Sequence, residues 1–423
     1  MRIPGRVLYQ LHALGAAGVP RRNPDVHAAQ PSGRGLKVLT DWLGRVDDLG
    51  CGAVLLTPIF VSSTHGYDTV DPFRIDQRLG DDDDFAALVD ACHRRDLALV
   101  LDGVFNHVGR VFPHFHDVVE HGVGSAYAGW FRLDPAGDDG DGFGYHCFEG
   151  HRELPSLNHE SPEVLDWAEA VARHWLDRGA DGWRFDAAYA MPPGFLAELT
   201  ARIRRHHPEA FLFGEMIHGD YAGFVAATGL DSVTQYELHK ALWSSLNDAN
   251  LFELAWALDR HRGFVERFAP LTFVGNHDVT RIGSQLHDPR HLGVAVAALL
   301  TLPGIPGVYY GDELGWEGVK EHRAGGDDAI RPPLPPADRL LTDDEAATLA
   351  LHRALIALRN ERPWLTRATL EVGPVENRRL AYTVTHDGAA LHVTLTTTHD
   401  SPTPPDGWRL LFTTPGATIA TRP

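Results

Sequence analysis

Short apolar runs alternate with longer stretches of helical period over roughly residues 6–350. The runs read RVLYQL (6–11), GAVLLTP (52–58), LALVLDGVF (97–105), DGWRFD (181–186), AFLFGE (210–215), DSVTQY (231–236), LTFVGNHD (271–278) and GVYYGDE (307–313). Between them lie helical segments such as LKVLTDWLGRVDDLG, PEVLDWAEAVARHWLDRG and HLGVAVAALLTL. Strands that are apolar throughout and separated by helices describe a parallel sheet covered on both faces. About eight such units over 250 or more residues is the count of an α/β fold of the (β/α)8 TIM-barrel type. A doubly wound open sheet is the alternative, but no glycine-rich phosphate loop opens any of the helices. Position favours the barrel too. Asp102, Asp186, Glu215 and Asp278 stand at the C-terminal ends of runs, the face where barrel enzymes assemble their sites from several strands.

Two regions break the alternation. Residues 108–160 are Gly/Asp-rich and aromatic, and a loop that long inside a compact domain is usually functional. It reads as a small excursion domain after strand three. Beyond the helix DDEAATLALHRALIALRNERP the pattern becomes LEVGPVENRRLAYTVTHDGAALHVTLTTT, alternating β residues with turn signals at ENR and HDGA, which predicts a small antiparallel β C-terminal domain. The expected organisation is a barrel over residues 1–107 and 161–362, an excursion over 108–160 and a β domain over 363–423. The Pro-rich RPPLPPAD (331–338) reads as an extended connector.

Composition narrows the partners. The formal net charge is -19, a surface that repels nucleic acid and anionic lipid and favours a neutral or cationic ligand. Cys51, Cys92 and Cys147 lack zinc or redox spacing, so inert thiols in a reducing compartment are expected. The opening MRIPGRVLYQLHALG shows no charged leader followed by an apolar core, and no apolar run approaches the length of a membrane span. The expectation is a cytoplasmic protein acting on a small ligand, with no nucleic-acid or membrane partner and an oligomeric state the residues leave open.

The chemistry concentrates in ADGWRFDAAYA (180–190), where Arg184 and Asp186 are two residues apart and so face one side of a strand. Glu215 ends the next run. Neighbouring parallel strands lie about 5 Å apart, so both carboxylates can meet over the barrel mouth. Two carboxyls about 5–5.5 Å apart flank a glycosidic bond with no room for water, so one must attack the anomeric carbon while the other protonates the leaving oxygen. Arg184 is expected to keep Asp186 ionised as nucleophile. Burial is expected to raise Glu215 toward acid/base duty. DGVFNH (102–107) adds Asp102, Asn106 and His107; FVGNHD (273–278) adds Asn276, His277 and Asp278; HGYDTVDPFRID (65–76) adds His65, Tyr67 and Asp68.

These four segments, in this order, resemble the conserved regions of the α-amylase superfamily, over roughly residues 6–360. The resemblance implies Asp186 as nucleophile, Glu215 as acid/base and Asp278 as a third carboxylate fixing ring hydroxyls. It implies that His107 and His277 hydrogen-bond the same ring, that Tyr67 stacks beneath it, and that Asp102 and Arg184 organise the acids. LPSLN (154–158) matches a family motif, and GGDDAIRPPLP resembles a post-barrel loop that would bring Asp328 and Arg331 to the terminal glucose. His65 and Asp68 join the expected sugar-binding set.

The stretches ELPSLNHESPEVLDWAEAVARHWLDRGADGWRFDAA and PEAFLFGEMIH look most like the neopullulanase and cyclomaltodextrinase branch. That branch usually carries an N-terminal β domain, absent from the expected organisation here, and a Trp where this chain has Ile217. Asn106 matches a residue that binds calcium in secreted amylases, but no carboxylate cluster accompanies it; neither metal nor other cofactor is expected. The expected activity is retaining hydrolysis of α-glucosidic, α-1,4 bonds in short malto-oligosaccharides. The rivals are a transglycosidase or isomerase using the same acids, a non-catalytic sugar binder, and a metal-dependent hydrolase using His65, His107 and Asp278.

Overall fold

The computed structural model describes residues 3–28, 30–31, 33–137, 140–323, 325–398 and 400–422. Eight parallel strands carry the fold: β1 (Leu8–Leu11), β2 (Ala53–Leu56), β3 (Ala98–Gly103), β4 (Gly182–Phe185), β5 (Phe211–Gly214), β6 (Ser232–Val233), β7 (Leu271–Phe273) and β8 (Ile305–Tyr309). Their order is β6-β5-β4-β3-β2-β1-β8-β7. A parallel bridge between Thr234 and Leu271, with the Gln235 amide donating to the Leu271 carbonyl at 2.8 Å, joins the two ends. The sheet is therefore a closed barrel, as expected. Each strand falls within or overlaps its predicted run.

Closure divides the apolar residues in two. Leu8, Ala53, Leu55, Val100, Phe211, Phe213, Leu271 and Ile305 fill the barrel interior. The opposite strand faces pack outward against the helices in one continuous core. The helix Gly35–Leu49 shows why: Leu36, Leu39, Trp42, Leu43, Val46 and Leu49 line one buried stripe, and Gly50, at φ 88°, ends it in a left-handed turn. The acidic run at 81–84 starts the helix Asp82–His93. Asp81 accepts from the Asp84 amide in a reciprocal capping box, with three further acids at the positive end of the helix dipole.

Residues 108–160 hold a helix (Pro113–His121), a two-stranded ribbon (Leu133–Asp134 with Gly144–Tyr145) and several tight turns. Ser156 bridges back to His107 just beyond β3, while the bridges Phe131–Leu157 and Cys147–Pro155 tie the excursion to itself. At the other end of the chain, β9 (Thr369–Glu376), β10 (Arg379–His386), β11 (Ala389–Thr396), β12 (Arg409–Thr414) and β13 (Ala417–Thr421) form an antiparallel sheet ordered β9-β10-β11-β13-β12. Among the described residues no helix is long and apolar enough to cross a membrane.

Candidate active site

Register decides which polar groups meet at the mouth. Asp102 on β3 lies directly opposite Arg184 on β4, and Arg184 opposite Phe213 on β5. One step on, Phe185 pairs with Gly214, so the next residues along, Asp186 and Glu215, emerge at the same level. Backbone bonds continue the ladder past the strand ends: the Asp186 amide donates to the Gly103 carbonyl at 3.0 Å and the Glu215 amide to the Phe185 carbonyl at 2.9 Å. Side chains of one face recur every second residue. Asp102, Arg184, Asp186 and Glu215 therefore share the inward face.

Arg184, which is buried, sits among three acids. Its Nη1 donates to Asp102 Oδ2 at 2.6 Å and to Asp186 Oδ1 at 3.1 Å, and its Nη2 pairs with Glu215 Oε1 at 2.9 Å. The expected Arg184–Asp186 pair is thus present, with Asp102 and Glu215 sharing the same guanidinium. The consequence for charge is reversed. Burial, opposed by Arg184 but reinforced by Glu215 and Asp102, pushes the Asp186 carboxyl well above its ordinary range. Burial raises Asp102 likewise, against the pull of Arg184. One guanidinium cannot neutralise three desolvated carboxylates, so the group favours retaining a proton.

Glu215 has further partners. Its Oε2 accepts from the Ala187 amide at 3.0 Å and its Oε1 from the Tyr236 hydroxyl at 3.2 Å. Ala187 holds a left-handed conformation, φ 47° and ψ 38°, which costs an L-residue about 1–2 kcal/mol. That strain aims its N–H at the acid. Tyr236 in turn accepts from Asn276 Nδ2 at 2.8 Å, and Asn276 Oδ1 accepts from the Asp278 amide at 2.8 Å. Gly275 is required beside this turn, because a Cβ there would lie 2.2 Å from Asp312 Oδ2.

Asp278 forms the opposite wall. Burial alone would raise its carboxyl, yet His277, Arg331 and Arg184 together hold it well below the ordinary range. His277 Nε2 lies 3.0 Å from Asp278 Oδ2, and Arg331 Nη2 donates to Asp278 Oδ1 at 3.1 Å. Tyr67 bonds Asp102 Oδ2 at 3.0 Å and also His277 Nε2, its ring stacked at 5.6 Å and 6° on the His277 ring. Gln10 of β1 holds His277 Nδ1 at 2.9 Å. His107 stacks on Phe148 at 4.7 Å, and burial pushes its imidazole down to about 3, so it is neutral.

Not every expected residue joins this cluster. Asp68 accepts from the Thr64 amide and hydroxyl at 3.1 and 2.7 Å, shaping the turn that carries Tyr67. His65 accepts from the Tyr67 amide at 3.2 Å in that same turn. Asp328 is exposed and pairs with Arg21 at 3.6 Å; its neighbour Asp327 takes the expected place, 3.3 Å from Arg331. An acid in a stretch reading GGDDAI carries no sequence signal for which of two adjacent side chains turns inward.

Sequence reasoning missed Tyr236 and His12. Tyr236 ends the DSVTQY run and so carried the strand-end signal that marked the acids. His12 lies two residues beyond Gln10, is buried, and accepts from the Gly15 amide through Nδ1 at 3.0 Å, leaving Nε2 with no partner among the described residues. Also among the described residues, no group of three or more His, Cys, Asp or Glu is arranged to hold a metal ion. The Asn106 amide contacts His107 Nδ1 at 3.1 Å.

Fold and mouth together define a (β/α)8-barrel protein with buried acids gathered at the C-terminal ends of its strands. The chain belongs to the alpha-amylase family: its catalytic-domain model matches residues 27–334. The chain is 34% identical to a Bacillus sp. cyclomaltodextrinase over 68% of its own length and 53% of that protein. It is 31% identical to a Bacillus acidopullulyticus maltogenic alpha-amylase over 87% of its length and 64% of the relative's. It thus spans about half to two thirds of these relatives. The solved structure of a Nostoc punctiforme debranching enzyme superposes with a TM-score of 0.81 at 25% identity, covering 99% of this chain and 98% of the other.

Proposed function

We propose that the chain is a retaining glycoside hydrolase that cleaves α-glucosidic bonds, chiefly α-1,4, of short malto-oligosaccharides. The observation that carries this reading is Asp186 and Glu215 at one level of neighbouring strands, both held by the single guanidinium of Arg184. Asp186 would attack the anomeric carbon as Glu215 passes its proton to the departing oxygen, giving a β-glucosyl ester on Asp186. Water would then attack that ester while Glu215 takes the proton back. The cycle needs Asp186 as the attacking anion and Glu215 as the proton donor to the leaving oxygen. Asp278, held ionised by its neighbours, would stabilise the oxocarbenium-like state. Tyr67, His107, His277 and Arg331 would bind the sugar, with Asp102, His65 and Asp68 supporting them.

The names of the two curated relatives, a cyclomaltodextrinase and a maltogenic alpha-amylase, favour a malto-oligosaccharide as substrate. A cytoplasmic setting fits the three free thiols. The test is hydrolysis of maltotriose followed by proton NMR. The α-anomer must appear first; initial release of the β-anomer would sink the mechanism. Products longer than the substrate, formed with excess maltose, would instead favour the transglycosidase.

A further inference from the structure

Asp278 is the most open of the three acids: its side chain is 31% exposed, against 10% for Asp186 and 9% for Glu215. Besides His277, Asp278 is held by Arg331, whose Nε donates to the His277 carbonyl at 3.0 Å and whose Nη2 donates to Asp278 Oδ1 at 3.1 Å. Arg331 itself stands on a poorly structured stretch, between the single 3₁₀ turn Asp328–Ile330 and two prolines. A loop of that kind has conformational freedom unless it is tied down.

The ties fall on the carbonyls either side of Arg331. The Ile330 carbonyl accepts from the Tyr309 hydroxyl and from Arg281 Nη2, each at 2.9 Å, and the Pro332 carbonyl accepts from the Tyr310 hydroxyl at 2.7 Å. Arg281 is buried, its Nη1 donating to the Tyr310 carbonyl and to Asp312 Oδ1, both at 2.8 Å. Its guanidinium carbon lies 4.6 Å from the Tyr309 ring and 5.1 Å from that of Tyr310. The third side is closed by Gly15, where a Cβ would lie 2.5 Å from the Arg331 carbonyl oxygen. None of Tyr309, Tyr310 and Arg281 is hydrogen-bonded to an acid of the site. All act one step behind Arg331.

We propose that Tyr309, Tyr310 and Arg281 are positioning residues that clasp residues 330–332 and so set the reach of Arg331 onto Asp278. The proposal rests on the functional reading above. It is tested on the full chain with maltotriose, using Tyr309→Phe, Tyr310→Phe and Arg331→Met, singly and combined. Phenylalanine keeps the ring against Arg281 and deletes only the hydroxyl. Each Tyr→Phe change should lower kcat/KM about fivefold, the usual size for one lost hydrogen bond, and should add nothing further in the Arg331→Met background. Effects that multiply with Arg331→Met, or wild-type kinetics in both phenylalanine variants, would overturn it. A purely stabilising role would lower Tm in every background and still multiply. Should the wild-type chain leave α-glucosides untouched, the functional reading falls, and crystal structures decide the clasp. Loss of the Arg331–Asp278 contact in the Tyr309→Phe, Tyr310→Phe double variant supports it; a contact unchanged at 3.1 Å contradicts it.

Discussion

The C-terminal sheet and the barrel mouth bury their side chains under opposite rules. In the sheet, Leu370, Leu380, Tyr382, Val384, Leu391, Val393, Leu395 and Ile419 are buried, and the hairpin between β10 and β11 turns on Asp387 and Gly388 with left-handed φ of 46° and 85°. Side-chain alternation and turn chemistry agree there, which is how a stable sheet is specified. At the mouth, Asp102, Asp186, Glu215, Arg184, His12, His107 and His277 are buried together. An ion cluster of that kind is often no more stable than apolar residues of the same volume. The sheet thus holds residues that favour stability, whereas on the proposed function the mouth holds charged groups for chemistry at stability's expense.

The largest contrast is expected from Asp186→Asn. It should cost about 10⁴-fold or more in kcat while leaving Tm equal or higher, because it removes a carboxylate that burial already disfavours as an anion. A marked fall in Tm would mean that the mouth obeys the sheet's rule after all. Arg184→Lys is expected to lower kcat/KM by about 10²-fold, since a point charge cannot fork to three acids. Losing that pull should also move the acid limb of the pH profile upward, because Arg184 is what lowers Asp186 and Asp102. An unmoved limb would separate Arg184 from the titrating group.

Leu395→Ala tests the sheet. Leu395 is buried, and the cavity should cost about 2–5 kcal/mol in chemical unfolding with kcat/KM unchanged. A finer test lies behind the mouth, at Glu313, which bonds the Tyr9 hydroxyl at 2.8 Å and which burial raises from 4.5 to about 7. A carboxyl raised on folding adds stability below its unfolded value, and that contribution fades as pH rises through the folded one. Unfolding free energy should therefore decline between pH 4.5 and about 7, by up to about 3 kcal/mol from this group. Glu313→Gln should flatten that slope; an unchanged slope would place the titration elsewhere.

The barrel was legible because its strands are apolar throughout and separated by helices, and its acids because they stand at strand ends. Three-way sharing by Arg184 was not legible. It depends on Asp102 lying opposite Arg184 and Glu215 emerging level with Asp186, and register between strands some 80 residues apart, as for Asp102 and Arg184 at a separation of 82, leaves no local trace. The same gap explains the wrong sign for Asp186, since spacing revealed its cation but not the two acids competing for it. Asp327 and Asp328 differ only in which way a turn points them.

On the proposed mechanism Asp186 becomes covalently bonded to the sugar. The direct measurement is intact-protein and peptide mass spectrometry of the Glu215→Gln variant after incubation with a fluorinated α-glucosyl fluoride, whose good leaving group needs no proton and whose ester resists water. One fluorohexosyl unit on the peptide containing Asp186 is the predicted result. No adduct under conditions that release fluoride, or an adduct on any other carboxylate, would contradict it.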